Sequence, residues 1–385
     1  MSRIAYITNG SSYSGVGHRA HAIVSILKEQ YAAEVQPSEF RLDGQTRSLA
    51  VDGQQLFEFS SWPGLLNAKS VQWVRLGTRL VQYVRDKNSP DFGLYHLTNQ
   101  TLSFLAGKLS PSVVTVHDII ELLDPQDKQA YLINRYLYSG IARANQIICV
   151  SDYTKKAVQD RYDIPDERIT VIYNGVGREF FPIENFSNTV GYQQLRKRLQ
   201  LETQAGPIIL YVGSDHVRKN LVTAVEAFSR IRKAFPNAVF VKVGAPGIAS
   251  GRELLLRTID RLQLREAIRI INSPLSNQEL NEFFNLADMF VFPSTHEGFG
   301  LPPLQAMAAG TPVICSNTTS LPEVVGSAAL THDPLDVAVL SEHMQHVLQD
   351  SKLVDELRSQ GLVRAKMFSW DTAAKQELEV YKRLI

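Results

Sequence analysis

Short runs of β-branched and aromatic residues alternate along the chain with longer stretches in which apolar residues recur every third or fourth position. In the first half the runs at Ile4–Thr8, Val35–Phe40, Leu94–Leu97, Val113–His117, Gln146–Val150 and Ile169–Tyr173 predict strands, and helical spacing over 17–29, 69–86, 127–143 and 153–161 fills the intervals. The pattern restarts with strands at Ile208–Val212, Val239–Val243, Ile268–Ile271, Met289–Phe292 and Val313–Ser316, separated by helices near 219–234, 251–263, 277–286 and 299–309. Parallel strands need a long crossover, which a helix supplies, so the alternation predicts an α/β chain with doubly wound parallel sheets. One stretch departs from it: in SLAVDGQQLFEFS, Asp52-Gly53 between alternating apolar residues predicts a hairpin. The periodicity breaks over 177–206, which places a domain boundary around 180–200. Two Rossmann-like halves follow, each with its working loops at the carboxyl ends of its strands and the site expected in the cleft between them. From about 351 the chain reads as one or two helices anchored by Trp370 and Tyr381.

Composition narrows the function classes. With 385 residues, 44% of them hydrophobic, and 40 Lys and Arg against 39 Asp and Glu, disorder is excluded and each half has enough apolar material for its own core. A pI near 7.8 argues against a globally basic nucleic-acid binder. Cys149 and Cys315 lie in apolar runs and read as buried free thiols, with no disulfide framework or zinc site. No apolar stretch approaches the ~20 residues that span a bilayer, and the N-terminus lacks a leader pattern, so the expected location is cytoplasmic. The segment 71–87 carries apolar residues at helical spacing with Arg75, Arg79 and Lys87. It reads as a core-packed helix, with peripheral contact at an anionic, cytoplasmic membrane face as the alternative.

Four segments carry candidate chemistry. Asn9 to Gly17 is a glycine-rich turn ahead of a helix, suited to a phosphate although it is neither G-x-G-x-x-G nor a P-loop; a tight βα turn explains it as well. Val116-His117-Asp118 ends the fourth strand, where His117 could donate to a substrate oxygen and Asp118 could orient it or cap the next helix. Gly213 to Asn220 holds Arg218 and Lys219 at a helix start, where cations oppose the dipole and so call for an anion nearby, a diphosphate for example. The fourth runs from Phe292 to Val313, a strand, a Glu297-Gly298-Phe299-Gly300 turn, and a helix with Pro302 and Pro303 in its first turn and Gly310 at its end. Helical geometry puts 298, 301, 302 and 305 near one face of it.

HEGFGLPPLQAMAAGTPVICSNTTSLPEVVG resembles the donor-binding signature of the retaining GT-B glycosyltransferases of family 4, the glycosyl transferases group 1. GVG at 15–17, VHD at 116–118, VSDYTKKAV at 150–158, IYNGV at 172–176, GSDHVRKNL at 213–221 and FSW at 368–370 follow in the family's order. The resemblance implies a GT-B fold of two Rossmann-like domains facing a central cleft. They would be an acceptor-binding domain over 1–185 and a donor-binding domain over 186–365, with a terminal helix over 366–385 returning to the first. It implies catalytic roles for His117, Arg218, Lys219 and Glu297. Gly15, Val16 and Gly17 would close on the phosphates, Arg218 and Lys219, with Gly213 in their loop, would hold the diphosphate, and Glu297 would contact donor-sugar hydroxyls. Backbone amides of Gly298, Phe299, Gly300 and Leu301 would bind sugar or phosphate oxygens.

One position departs from the family pattern, which has a second carboxylate where this chain has Gln305. An amide can accept one ribose hydroxyl while its NH2 donates, so ribose recognition is weakened or redistributed. The implied reaction moves a hexosyl group from a UDP- or GDP-sugar to a glycan, lipid-linked or small-molecule acceptor, with retention and by front-face attack. The sequence contains no Asp-x-Asp, and two cations with a helix end offset a diphosphate, so neither a metal nor another cofactor is expected. A catalytically weak or inactive nucleotide-sugar-binding subunit is the alternative that Gln305 motivates. A nucleotide-sugar epimerase is opposed by the signature around 297, and an NAD enzyme by the missing fingerprint.

Overall fold

The computed structural model describes residues 2–9, 15–43, 48–58, 69–86, 90–125, 128–201, 206–247 and 249–385. They gather into two compact units, one running through Gly175 and taking in Ser369–Ile385, the other Val176–Phe368.

The first unit contains β1 (Ser2–Thr8), α1 (Gly15–Gln30), β2 (Val35–Asp43), β3 (Ser48–Val51), β4 (Gln54–Glu58), α2 (Lys69–Val84), β5 (Leu94–Leu97), β6 (Ser112–Val116), α3 (Ile120–Leu123), α4 (Lys128–Leu137), β7 (Gln146–Cys149), α5 (Asp152–Tyr162) and β8 (Ile169–Val171). Its sheet runs β4-β3-β2-β1-β5-β6-β7-β8, parallel from β2 through β8. The strands β2, β3 and β4 pair antiparallel, and the predicted hairpin turn is there: Asp52 and Gly53 both take positive φ, 45° and 85°, as a type I′ turn requires. Every residue of β6 is buried, as expected for a central parallel strand covered on both faces. The α2 stripe Leu76, Leu80, Val81 and Val84 packs into one apolar cluster with Phe40, Phe92, Leu97 and Leu105, so it is spent on its own sheet. The single helix expected over 127–143 is interrupted instead: α4 stops at Leu137 and a 3-10 turn covers Ile141–Arg143. Gly140 lies between them, where a Cβ would meet Ser103 O at 1.6 Å; the chain bends because its backbone touches another backbone there.

The second unit contains α6 (Val190–Arg198), β9 (Ile208–Val212), α7 (Leu221–Ile231), β10 (Val239–Val243), α8 (Ala249–Arg261), β11 (Ile268–Ile271), α9 (Asn277–Leu286), β12 (Met289–Phe292), α10 (Leu301–Ala308), β13 (Val313–Ser316), α11 (Leu321–Val325), β14 (Leu330–His332), α12 (Val337–Gln349) and α13 (Ser351–Ala365). The sheet is parallel throughout, in the order β11-β10-β9-β12-β13-β14, the Rossmann order 3-2-1-4-5-6. Strands β10, β12 and β13 are wholly buried. Elements α11, β14 and α12 occupy a stretch for which the hydrophobic pattern predicts none. The strand β14 has only three residues, too few to show a period, and α12 is set by its cap, Asp336 accepting from Ala338 and Val339 N–H.

The last helix, α14 (Trp370–Lys382), belongs to the first unit, where it packs on α1. Ser369 caps it through Thr372 N–H, and its inner face carries Trp370, Ala373, Ala374, Leu378 and Tyr381 around a fully buried Glu377. That carboxylate meets Arg19 of α1 at 2.6 Å and accepts from Tyr381 Oη at 2.7 Å. Arg19 also donates to Asn174 Oδ1 and to the Ile172 and Tyr173 carbonyls, while Tyr381 Oη lies 2.6 Å from His96 Nδ1. Removing one member of such a pair leaves a charge buried alone, which costs ~3–5 kcal/mol. The terminal helix is held in one register by that penalty as well as by its apolar face.

Candidate functional site

In an open parallel sheet the two loops at the reversal of strand order diverge and leave room for a ligand. In the second unit the reversal lies between β9 and β12. The loop after β9 carries Arg218 and Lys219, and the loop after β12 carries Glu297, so topology brings these three predicted residues together. Lys219 Nζ is 2.5 Å from Glu297 Oε1, and Arg218 Nη1 is 3.6 Å from the same oxygen. Two cations share one carboxylate, which leaves a net positive charge at the end of the strands.

Local hydrogen bonds hold each loop. Arg218 and Lys219 lie in a 3-10 turn, Val217–Lys219, ahead of α7 and not in its first turn; Asn220 in the left-handed region (φ 54°) separates the two. Asn220 Nδ2 donates to the Pro293 and Pro334 carbonyls, and the Arg218 carbonyl accepts from Thr295 N–H, Thr295 Oγ1 and Ser294 Oγ. Arg218 Nη1 donates to the His296 carbonyl at 2.8 Å, and Lys219 lies over the Phe292 ring. Gly213 is required at the strand end, since a Cβ there would be 2.6 Å from Tyr211 Oη. On the other loop, Ser320 Oγ donates to the carbonyls of Glu297 and Phe299, and Glu297 N–H donates to Thr319 Oγ1. Burial pushes the Glu297 carboxyl upward, but the charges of Lys219 and Arg218, with hydrogen bonds from Lys219 and Ser294, outweigh it and hold the group below its ordinary value.

Gly298, Phe299 and Gly300 are buried, and Gly300, at φ 117°, caps α10. Pro302 and Pro303 remove two of the donors that a helix N-terminus would otherwise offer, so the amides of Gly300 and Leu301 remain at its mouth. On α10 the half-exposed positions are Leu301, Pro302 and Gln305, one stripe of the helix, while Pro303, Leu304, Ala306, Met307 and Ala308 are buried. Gln305 is therefore on the open face.

In the first unit, Gly15, Val16 and Gly17 form the first turn of α1, not a connecting turn; residues 10–14 of the glycine-rich segment lie outside the described residues. His117 is at the tip of β6, buried, with Nε2 3.0 Å from the Thr98 carbonyl. Burial first, then the Arg19 charge, lowers its pKa to about 3, against the opposing hydrogen bond to Thr98, so the ring is neutral. A carbonyl can only accept, so Nε2 carries the proton and Nδ1 the lone pair. Nδ1 of His117 is thus the acceptor of the ring, where the sequence predicts a donor. Asp118 Oδ1 accepts from Ile120 N–H at 3.2 Å, one residue ahead of Ile119, the N-cap of α3.

Several residues that build the site carry little sequence signal. Ser294, Thr295, Thr319, Ser320 and Asn220 act through the backbone. Lys242, inside the all-buried strand VFVKV, does stand out, since a lysine there needs a buried partner. Its partner is Asp215, 2.5 Å away.

Comparison with known proteins gives the family. The model of glycosyl transferases group 1 matches residues 193–363, and that of glycosyltransferase family 4 matches 17–180. Over 300 residues the chain is 31% identical to the O-antigen chain mannosyltransferase B of Escherichia coli, covering 76% of this chain and 74% of that protein. The chain belongs to glycosyltransferase family 4. Against longer mannosyltransferases of the same species the match spans only 36% of their length. Among solved structures, sucrose-phosphate synthase from Thermosynechococcus elongatus aligns with this glycosyltransferase at a TM-score of 0.79 and 20% identity, covering 100% of this chain and 99% of the other. Anabaena HepE in complex with UDP-glucose aligns at 0.76 and 17%, covering 100% of both. These likenesses establish the GT-B fold. Among the described residues no helix is long and apolar enough to cross a membrane.

Proposed function

We propose that this family 4 enzyme transfers a mannosyl group from a nucleotide-diphosphate sugar to a growing surface polysaccharide, with retention of anomeric configuration and without a metal. The observation that carries the reading is the meeting of Arg218, Lys219 and Glu297 at the strand reversal of the second sheet. The name of the E. coli relative supports mannose and an O-antigen chain as acceptor, and the UDP-glucose bound to HepE supports a nucleotide-diphosphate sugar as donor class.

In this mechanism the bond between the anomeric carbon and the diphosphate oxygen breaks as the acceptor oxygen attacks the same face, and the acceptor proton passes to the departing diphosphate. Arg218 and Lys219 take up the charge that develops on the leaving group, already placed before the reaction begins. Glu297, held ionised by the same two cations, accepts from hydroxyls of the donor sugar.

The test is a panel of GDP- and UDP-sugars with an O-antigen oligosaccharide acceptor, with and without EDTA, scoring released nucleoside diphosphate and the anomeric configuration of the product by NMR. Transfer from a mannosyl donor with an α-linked product, unaffected by EDTA, is expected. Arg218→Ala and Lys219→Ala each reduce kcat by about 100-fold or more, the scale of losing one preorganised donor to a developing anion. Wild-type rates in both variants would sink the assignment. Hydrolysis and transfer both absent for every donor would favour a binding subunit.

A further inference from the structure

Below the loop of Arg218 and Lys219 is a second set of charges that the proposed chemistry does not use. Asp215 and Lys242, an acid and a base, are 2% and 1% exposed. Lys242 Nζ forms an ion pair with Asp215 Oδ1 at 2.5 Å and donates to the Gly244 carbonyl at 2.6 Å and the Ala245 carbonyl at 3.2 Å. Arg252, in the first turn of α8, places Nη1 2.7 Å from Asp215 Oδ2 and Nη2 3.2 Å from Asn272 Oδ1. These contacts span three consecutive strand ends. Asp215 is on the loop after β9, Gly244 and Ala245 on the loop after β10, and Asn272 just past β11.

The backbones beneath are equally close. A Cβ on Gly251 of α8 would lie 1.7 Å from the Asp215 carbonyl oxygen, and one on Gly247 would lie 3.0 Å from Asp215 N. The start of the 213–220 loop therefore rests directly on α8 and on the loop after β10, and its far end is clamped by Asn220 on the Pro293 and Pro334 carbonyls. Only a few residues separate the two clamps, and Arg218 and Lys219 are among them.

We infer that Asp215, Lys242 and Arg252 are positioning residues. They staple the ends of β9, β10 and β11 so that Arg218 and Lys219 are held in place for the pyrophosphate of a donor nucleotide. The inference rests on the proposed donor site. Lys242 is enclosed and engaged by Asp215 and the Gly244 and Ala245 carbonyls, and the guanidinium of Arg252 is engaged by Asp215 and Asn272. Their effect is delivered through the loop. Asp215 carries it at the centre, because it is ion-paired with both cations.

A positioning role and a merely structural one differ in what they do to phosphate selectivity. Dissociation constants for GDP and GMP, and for UDP and UMP, are measured by calorimetry on the full chain, and their ratio is taken within each variant. Loss of folded protein scales both constants and cancels in the ratio. Lys242→Met keeps the length of the side chain and removes its charge; the diphosphate preference is expected to shrink at least tenfold, with monophosphate affinity changed less than threefold. Arg252→Gln, at a partly exposed position, is expected to shrink the preference by about threefold and serves if Lys242→Met does not fold. Wild-type preference retained in the folded variants overturns the inference. A wild-type protein with no preference for diphosphate over monophosphate overturns the donor-site reading itself, which is a separate result.

Discussion

Glu297 occupies a position where two effects of opposite sign act on one carboxylate. Enclosure disfavours its charge, and Lys219 at 2.5 Å with Arg218 at 3.6 Å favours it; the cations win, so the group is ionised where the donor sugar would need an acceptor. The same contact means that this carboxylate competes with any phosphate for the two cations. Glu297→Gln separates those roles. With the anion gone, nucleoside diphosphate affinity is expected to hold or to rise by up to about tenfold, the ~1.4 kcal/mol scale of one charge-assisted contact. The rate of transfer falls by about 100-fold or more. Calorimetry and released-nucleotide assays on the same preparation check both, and parallel loss of binding and turnover would contradict it. Gln305, on the open face of α10, is a neutral side chain where the family pattern carries an acid.

At the scale of elements, the paired loops after β9 and β12 are built from backbone contacts that no periodicity reports. Gly251 illustrates the conflict between local and tertiary preference. Within a helix, alanine is favoured over glycine by about 1 kcal/mol, so local propensity alone would make Gly251→Ala stabilising. In the structure a Cβ would come within 1.7 Å of the Asp215 carbonyl, and the loop carrying Arg218 and Lys219 would have to move. Gly251→Ala is therefore expected to weaken nucleoside diphosphate binding by at least tenfold while far-UV circular dichroism stays that of the wild type. Unchanged affinity would show that the loop tolerates displacement. The strand order explains why α7 to α10 matter so unequally: the reversal between β9 and β12 puts the two adjoining loops, not the others, around one point.

For the molecule as a whole, buried histidines, two of them in the first unit, make stability fall in acid. His96 faces Glu377, Arg19, Tyr6 and Tyr381, and burial lowers its pKa from 6.5 to about 4; His117 falls to about 3. Between these values and 6.5 the unfolded chain binds protons that the folded chain does not. Stability therefore decreases as pH falls from about 6.5 towards 4, by up to ~1.4 kcal/mol per pH unit for each histidine. Melting curves from pH 7.5 to 4.5 are expected to show this decline, with a shallower slope in His96→Gln; equal slopes would remove His96 as a cause. The hydrophobic pattern sufficed for the β-α alternation, the hairpin at Asp52-Gly53 and the bounds of strands such as Ile208–Val212 and Val239–Val243, because periodicity and turn chemistry are local properties. The motif residues Arg218, Lys219 and Glu297 were legible for the same reason, since each belongs to a short contiguous segment. Neither the ion pairs among them, nor the tautomer of His117, nor the staple of Asp215, Lys242 and Arg252, nor the burial of Glu377 against Arg19 could be read there. Each joins residues far apart in the chain, and its existence depends on strand order and on the low dielectric of a packed interior, which only the tertiary structure creates.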